Sequence, residues 1–214
     1  MKFLIHNATI VNEGDSFAGS VLVENDAIRR VFAAADSALD DGLCADAQRI
    51  DASGLLLLPG IIDTHVHFRD PGLTHKGSWR SESCAAAAGG VTTVADMPNT
   101  LPPTTTLPLL REKLNVARRE AVVNVMAYLG ATPENLPDLA KLTPADAFAV
   151  KLFMGSSTGN MLLRDERLLA QLFAECPLPI VAHCESEELV QRGMEQYRQR
   201  YGEQIPFAAH PHIR

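Results

Sequence analysis

From Pro59 to the end of the chain, short apolar runs alternate with segments whose apolar residues recur every three or four positions. The runs have the length of strands buried on both faces, and the longer repeat is that of helices with one covered side. Parallel strands cannot be joined by tight turns, so a helix must carry the chain back after each one. The alternation therefore restricts this part of the chain to an α/β architecture on a parallel sheet, open or closed into a barrel. Strands are expected at "GIIDTH", "VTTVADM", "AVVNVMAYLG", "AFAVKLFM" and "PIVAHCE". Helices are expected at "WRSESCAAAA", "LPLLREKLNVARRE", "RDERLLAQLFAE" and "ESEELVQRGMEQYRQRY". Ser78 is placed to cap the first helix and Gly89-Gly90 to stop it. The acidic first turn of the last suits its dipole.

Ahead of Pro59 the rhythm differs. The runs "KFLIHNATIV", "SVLVEN", "AIRRVFAA" and "QRIDA" are strand-like and broken by Asn, Gly and Asp turn signals, which predicts a small β module over residues 1–58. Residues 59–214 are then expected to be the N-terminal part of a barrel, which the family resemblance set out below implies is a (β/α)8 TIM-type barrel. A full barrel takes about 250 residues. About five strands are visible here, so the barrel is expected to be incomplete: either its C-terminal part is missing from these residues or it is an open half-barrel completed by something else.

A formal charge of −7 argues against a nucleic-acid groove, which needs clustered Lys and Arg. The longest apolar run, Leu55 to Ile62, is too short to cross a bilayer, and "MKFLIHNATIV" has polar residues where a secretory stretch would continue. The expectation is a cytoplasmic protein acting on a small molecule, with no nucleic-acid or membrane partner; assembly into a homo-oligomer stays open. Cys44, Cys84, Cys176 and Cys184 form no CxxC pair and are expected to be buried free thiols.

Strand residues two apart share a side. His65 and His67, at the end of "GIIDTHVH", can thus aim two imidazoles at one point beyond the strand. An HxH alone is weak evidence of a metal site. Strand "VAHCE" adds His183, and "FAVKLFM" sets Lys151 between Val150 and Leu152, where a charged ammonium is expensive to bury. Burial favours the neutral amine, which can react with carbon dioxide to form a carbamate, an oxygen ligand able to bridge two cations. The competing reading of Lys151 is a lysine that snorkels to the rim or pairs with a carboxylate. For Arg69 it is an ion pair with Asp70, and for Asn99 a turn residue before Thr100. His6, His75, His210 and His212 are expected to be structural or solvated, the last two in a frayed end. Asp63 and Asp96 lie at strand ends without an assigned role. "GSSTGN" is expected to be a mobile loop over the site, because no GK[ST] follows to make a phosphate cradle.

Taken together, "PGIIDTHVHFRDPG", "SCAAAAGGVTTVADMPNT", "VKLFMGSSTG" and "VAHCE" resemble the amidohydrolase superfamily and, within it, the dihydroorotases of the cyclic amidase branch. The resemblance covers nearly the whole chain. It implies two zinc ions in a binuclear site, with His65 and His67 on one ion, carboxylated Lys151 bridging both, and His183 on the second. The implied reaction is the reversible interconversion of dihydroorotate and N-carbamoyl-L-aspartate in de novo pyrimidine biosynthesis, by attack of a metal-bridging hydroxide on the ring amide. The resemblance also places Arg69 and Asn99 on the substrate carboxylate, which a guanidinium grips with a charge-assisted fork. Allantoinases look similar but typically differ at Arg69 and carry an "LNS"-like reading in place of "PNT". Dihydropyrimidinases lack the Arg-Asp-Pro-Gly continuation.

The same resemblance calls for a further histidine from a sixth strand and a general acid and base aspartate from the eighth. Neither position falls within these residues. The catalytic aspartate is expected beyond Arg214, and the 214 residues alone are expected to be inactive. Two alternatives stay open: an allantoinase or other cyclic amidase, and a non-catalytic dihydroorotase-like assembly partner of aspartate transcarbamoylase.

Overall fold

The structure is a computed structural model that describes residues 1–34, 42–155 and 161–214. Apart from Gly155, the "GSSTGN" segment lies outside the described residues. The chain divides into two compact units, Met1–Gly60 and Ile61–Arg214.

The first unit is one sheet of β1 (Lys2–Asn12), β2 (Asp15–Glu24), β3 (Ala27–Ala33), β4 (Gln48–Asp51) and β5 (Leu56–Leu57). The first three strands form an antiparallel meander, while β4 and β5 pair with β1 in parallel. Strand alternation feeds two buried clusters, Leu4, Leu22, Phe32 and Cys44 in one and Ala8, Ile10, Val21 and Ala52 in the other.

In the second unit the chain runs through β6 (Ile61–Val66), α1 (Trp79–Ala88), β7 (Val91–Asp96), α2 (Leu107–Glu120), β8 (Asn124–Gly130) and α3 (Leu136–Leu139). It continues through β9 (Ala149–Phe153), α4 (Glu166–Glu175), β10 (Ile180–His183), α5 (Glu187–Tyr201) and α6 (His210–Ile213). The sheet order is β6-β7-β8-β9-β10, every pair parallel. This is an α/β unit of successive βα windings, a part of a TIM-type barrel left open at β6 and β10.

Local sequence explains the elements. Ser78 and Ser81 form a reciprocal capping box on α1, and Gly90 follows its end at φ 82. Thr106, Asp165 and Ser186 cap α2, α4 and α5 by accepting backbone N–H bonds. One sheet face, with Ala127, Leu129, Val150 and Leu152, packs against Leu110 of α2, Leu136 and Leu139 of α3 and Leu172 of α4. The opposite face carries Ala95, Met97, Tyr128 and Ala149, with no helix residue among them. Polar side chains on that helix-free face are thus available for chemistry.

Two expectations fail. Cys44 is buried and Cys176 half-buried, but Cys84 and Cys184 are exposed. Helix α1 turns Trp79 and Ser83 inward, and the next residue lies about 100° further round, so Cys84 faces out; Cys184 follows the last residue of β10. His210 and His212 also do not fray: they belong to α6, whose Ile213 is buried. There Gly193 of α5 lets α6 approach closely, since a Cβ would come within 3.1 Å of the Ile213 Cα. Arg214 then forks onto Glu185 at 2.9 and 2.7 Å. "HPHI" is too short to show a helical repeat.

Candidate metal and substrate site

Backbone register brings the expected residues to one end of the sheet. Lys151 pairs with Gly130 on one side and Val181 on the other, so it shares the helix-free face with Tyr128 and Val181. His183 is two residues beyond Val181 and lies on that face too. On β6 the register slips by one residue between Asp63 and Val66 relative to β7, a bulge of the kind that re-aims side chains next to functional sites. Val66 packs on the helix side with Phe68 and Trp79. His65 and His67, either side of Val66, consequently turn to the opposite face, their ring centroids 5.4 Å apart.

Fixed partners hold this bulged segment. The Asp63 carboxylate accepts the His65 N–H at 3.0 Å. The Tyr128 hydroxyl donates to the Thr64 carbonyl at 2.9 Å, and burial raises the phenol pKa, which keeps it a donor. Asp96 Oδ1 accepts the Phe68 N–H at 2.7 Å. Beyond it, Arg69 sits at φ 67 in the left-handed region, a conformation that costs a non-glycine residue about 1–2 kcal/mol. The Leu73 N–H bonds to the Arg69 carbonyl at 3.0 Å, and Arg69 Nη1 reaches the Asn99 carbonyl at 3.4 Å.

The loops after β6 and β7 are closely joined. The Leu101 N–H donates to the Pro71 carbonyl at 3.1 Å. Gly72 has φ 84, and a Cβ on it would lie 1.9 Å from the Leu101 carbonyl oxygen. Gly72→Ala is therefore expected to cost about 2 kcal/mol or more, read as a lowered urea midpoint at unchanged m-value.

At the centre of the site His67 Nδ1 and Asn99 Oδ1 are 2.8 Å apart. An amide oxygen only accepts, so a hydrogen bond in this arrangement requires the proton on Nδ1, the tautomer that leaves the Nε2 lone pair free. Asn99, expected on a substrate carboxylate, thus also engages an imidazole. Burial lowers the His67 pKa, with Arg69 acting in the same direction and the Asn99 bond opposing. Burial likewise lowers that of His65, reinforced by Lys151 and His183, which ties those three residues into one electrostatic neighbourhood. His183 Nε2 is buried and lies 3.2 Å from Glu185 Oε2.

Lys151 is 1% exposed. Among the described residues no carboxylate lies within 4.0 Å of its amine; its Nζ instead sits 5.0 Å from the centre of the Phe153 ring. Burial lowers its pKa, partly offset by the Cys184 thiol. Among the described residues no three His, Cys, Asp or Glu side chains close into a metal-binding group by themselves. The donor set still fits cations: three imidazoles on one face, and an amine with no counter-ion among the described residues that a carbamate would turn into oxygen donors.

Sequence reasoning gave Asp96 no role. It is fully buried, and its Oδ2 pairs at 2.6 Å with Lys113, also fully buried. The signal was present: Lys113 occupies a position on the apolar stripe of α2, between Leu110 and Ala117.

Polar residues gathered toward the C-terminal ends of parallel strands are arranged as in the TIM-barrel class, which builds its sites at that end. The chain belongs to the dihydro-orotase-like family of cyclic amidohydrolases, whose family model matches residues 54–205. It is 37% identical over 189 residues to a dihydroorotase of Methanosarcina acetivorans, covering 86% of this chain and 39% of that protein. It is 44% identical over 133 residues to an allantoinase of Streptomyces avermitilis, covering 61% of this chain and 30% of that protein. The solved L-hydantoinase (dihydropyrimidinase) from Arthrobacter aurescens superposes with a TM-score of 0.83 at 32% identity, over 97% of this chain and 45% of that one. The chain thus spans less than half the length of these relatives.

Proposed function

We propose that the protein carrying this chain is a metal-dependent cyclic amidohydrolase that interconverts dihydroorotate and N-carbamoyl-L-aspartate in pyrimidine biosynthesis. The observation that carries this reading is Lys151, an amine 1% exposed with no carboxylate partner among the described residues, on the same face as three histidines. A purely structural lysine there would be an uncompensated cost. Its neutral amine forms an N–C bond to carbon dioxide and releases a proton to water, leaving a carbamate anion. His65, His67, the Lys151 carbamate and His183 would hold two zinc ions. Such ions, when bound, polarise an amide carbonyl and acidify water.

The chain's own residues supply binding and orientation. Asn99 fixes the His67 tautomer, and the guanidinium of Arg69 grips the substrate carboxylate, holding the ring amide over the strand ends. The general acid and base is assigned to an aspartate following Arg214. No helix among the described residues is long and apolar enough to cross a membrane, and we place the protein in the cytoplasm.

Allantoinase and hydantoinase relatives make neighbouring cyclic amides the second reading. The intact set of three histidines and a buried lysine favours an enzyme over a non-catalytic partner of aspartate transcarbamoylase. The test compares zinc content and turnover of dihydroorotate, allantoin and hydantoin by the full-length protein. Two zinc ions per chain and preference for dihydroorotate are expected. Arg69→Met is expected to raise KM for dihydroorotate roughly 100-fold, the worth of a charge-assisted fork, with little change for hydantoin, which lacks the carboxylate. Equal loss on both substrates would remove Arg69 from the carboxylate, and preference for allantoin or hydantoin would reassign the substrate.

A further inference from the structure

The geometry points to the buried Lys113–Asp96 ion pair as a positioning device that couples the two loops of the site. It rests on the proposed function for its purpose but not for its test. Asp96 Oδ1 accepts the Phe68 N–H at 2.7 Å, and Phe68 stands between His67 and Arg69. Asp96 Oδ2 meets Lys113 Nζ at 2.6 Å, with both side chains 0% exposed. The same Nζ donates to the Met97 carbonyl at 2.7 Å, two residues before the Asn99 that bonds His67. One ammonium therefore fastens both halves of the His67···Asn99 contact: the β6 loop through Asp96 and Phe68, the β7 loop through Met97.

Its surroundings fit a fixed role. Lys113 lies 6.0 Å from the centre of the Trp79 ring, and the backbone N–H of Trp79 bonds to Asp70 of the β6 loop at 3.4 Å. A purely structural cation on the buried stripe of α2 would need only its counter-ion; this one also takes a backbone carbonyl of the site loop. The consequence is that the distance between the His67 imidazole and the Asn99 amide, and with it the proton on Nδ1, depends on a helix residue that touches neither.

The test uses the histidine tautomers of the metal-free protein, read by long-range 1H–15N NMR. Removing one charge alone strands the other, so the informative variant is Asp96→Asn combined with Lys113→Met, in which no buried charge remains and the Asn oxygen can still accept from Phe68. In the parent, His67 is expected as the Nδ1–H tautomer. In the double variant the loops lose their shared anchor, and the tautomer ratio is expected to move about tenfold toward Nε2–H, with zinc affinity falling by about the same factor. Leu110→Ala, equally buried on the same helix, is expected to lower stability without moving the ratio. A folded double variant with the parental His67 ratio would overturn the inference, as would a shift of equal size in Leu110→Ala. A parent that binds no zinc would instead count against the proposed function, and the tautomer comparison would still decide this inference.

Discussion

Replacing Lys151 with methionine is expected to stabilise the metal-free protein by about 1–2 kcal/mol while abolishing tight zinc binding and lowering cyclic amidase activity by roughly a thousandfold or more. The two effects have opposite signs because they come from different states of the molecule. Without metal, Lys151 presents an almost wholly buried amine whose pKa is lowered by burial and which, among the described residues, faces a phenyl ring and no carboxylate. A thioether of similar length fills the same space without the desolvation cost. With metal, that position must supply anionic oxygen, and a methionine cannot. Urea unfolding of chelator-treated parent and variant checks the first effect, and metal analysis with an amide-hydrolysis assay checks the second. A variant both less stable and active would return Lys151 to the ordinary core.

The second large effect concerns Lys113. Lys113→Met alone is expected to cost about 3–5 kcal/mol, because it leaves the Asp96 carboxylate buried without a cation. Against a typical total of roughly 5–15 kcal/mol, that change brings a domain close to unfolding. Adding Asp96→Asn to the same background is expected to return most of the loss, since a neutral amide keeps an acceptor for the Phe68 N–H. The check is a double-mutant cycle in urea. Additive losses would show that the two side chains do not share their energy; strong rescue by the second substitution is the expected outcome.

Which parts of this were legible in the sequence follows from the range of the forces involved. The alternation after Pro59 reports local geometry and burial together, so the five parallel strands and the four longer helices fall where periodicity and caps put them. Segments of four residues, such as α3 and α6, carry no periodicity to read; their place is decided by tertiary contacts such as Ile213 against Gly193. The cysteines illustrate a related limit. A residue type favours burial on average, but the register of α1 decides that Ser83 goes in and Cys84 goes out.

For the site, residue identity was visible and mutual arrangement was not. His65, His67, Arg69 and Asn99 stand out in their motifs, yet the one-residue slip of β6 that turns both imidazoles to the helix-free face is invisible in a string of letters. So is the bond between His67 and Asn99, which joins residues 32 positions apart. Asp96 and Lys113 were overlooked for a physical reason: each looks like a common surface charge until its partner, from another element, is known. A lysine on an apolar helix stripe and an aspartate inside "TTVADM" are each a weak signal, and their pairing in space is the strong one.

The most direct measurement is carbon-13 NMR of the zinc-loaded protein supplied with labelled bicarbonate. A single carbamate resonance, lost in Lys151→Met and bleached by acid, is the expected result. Zinc-loaded protein that shows full labelling of free bicarbonate and no carbamate would mean that this lysine never becomes a metal ligand.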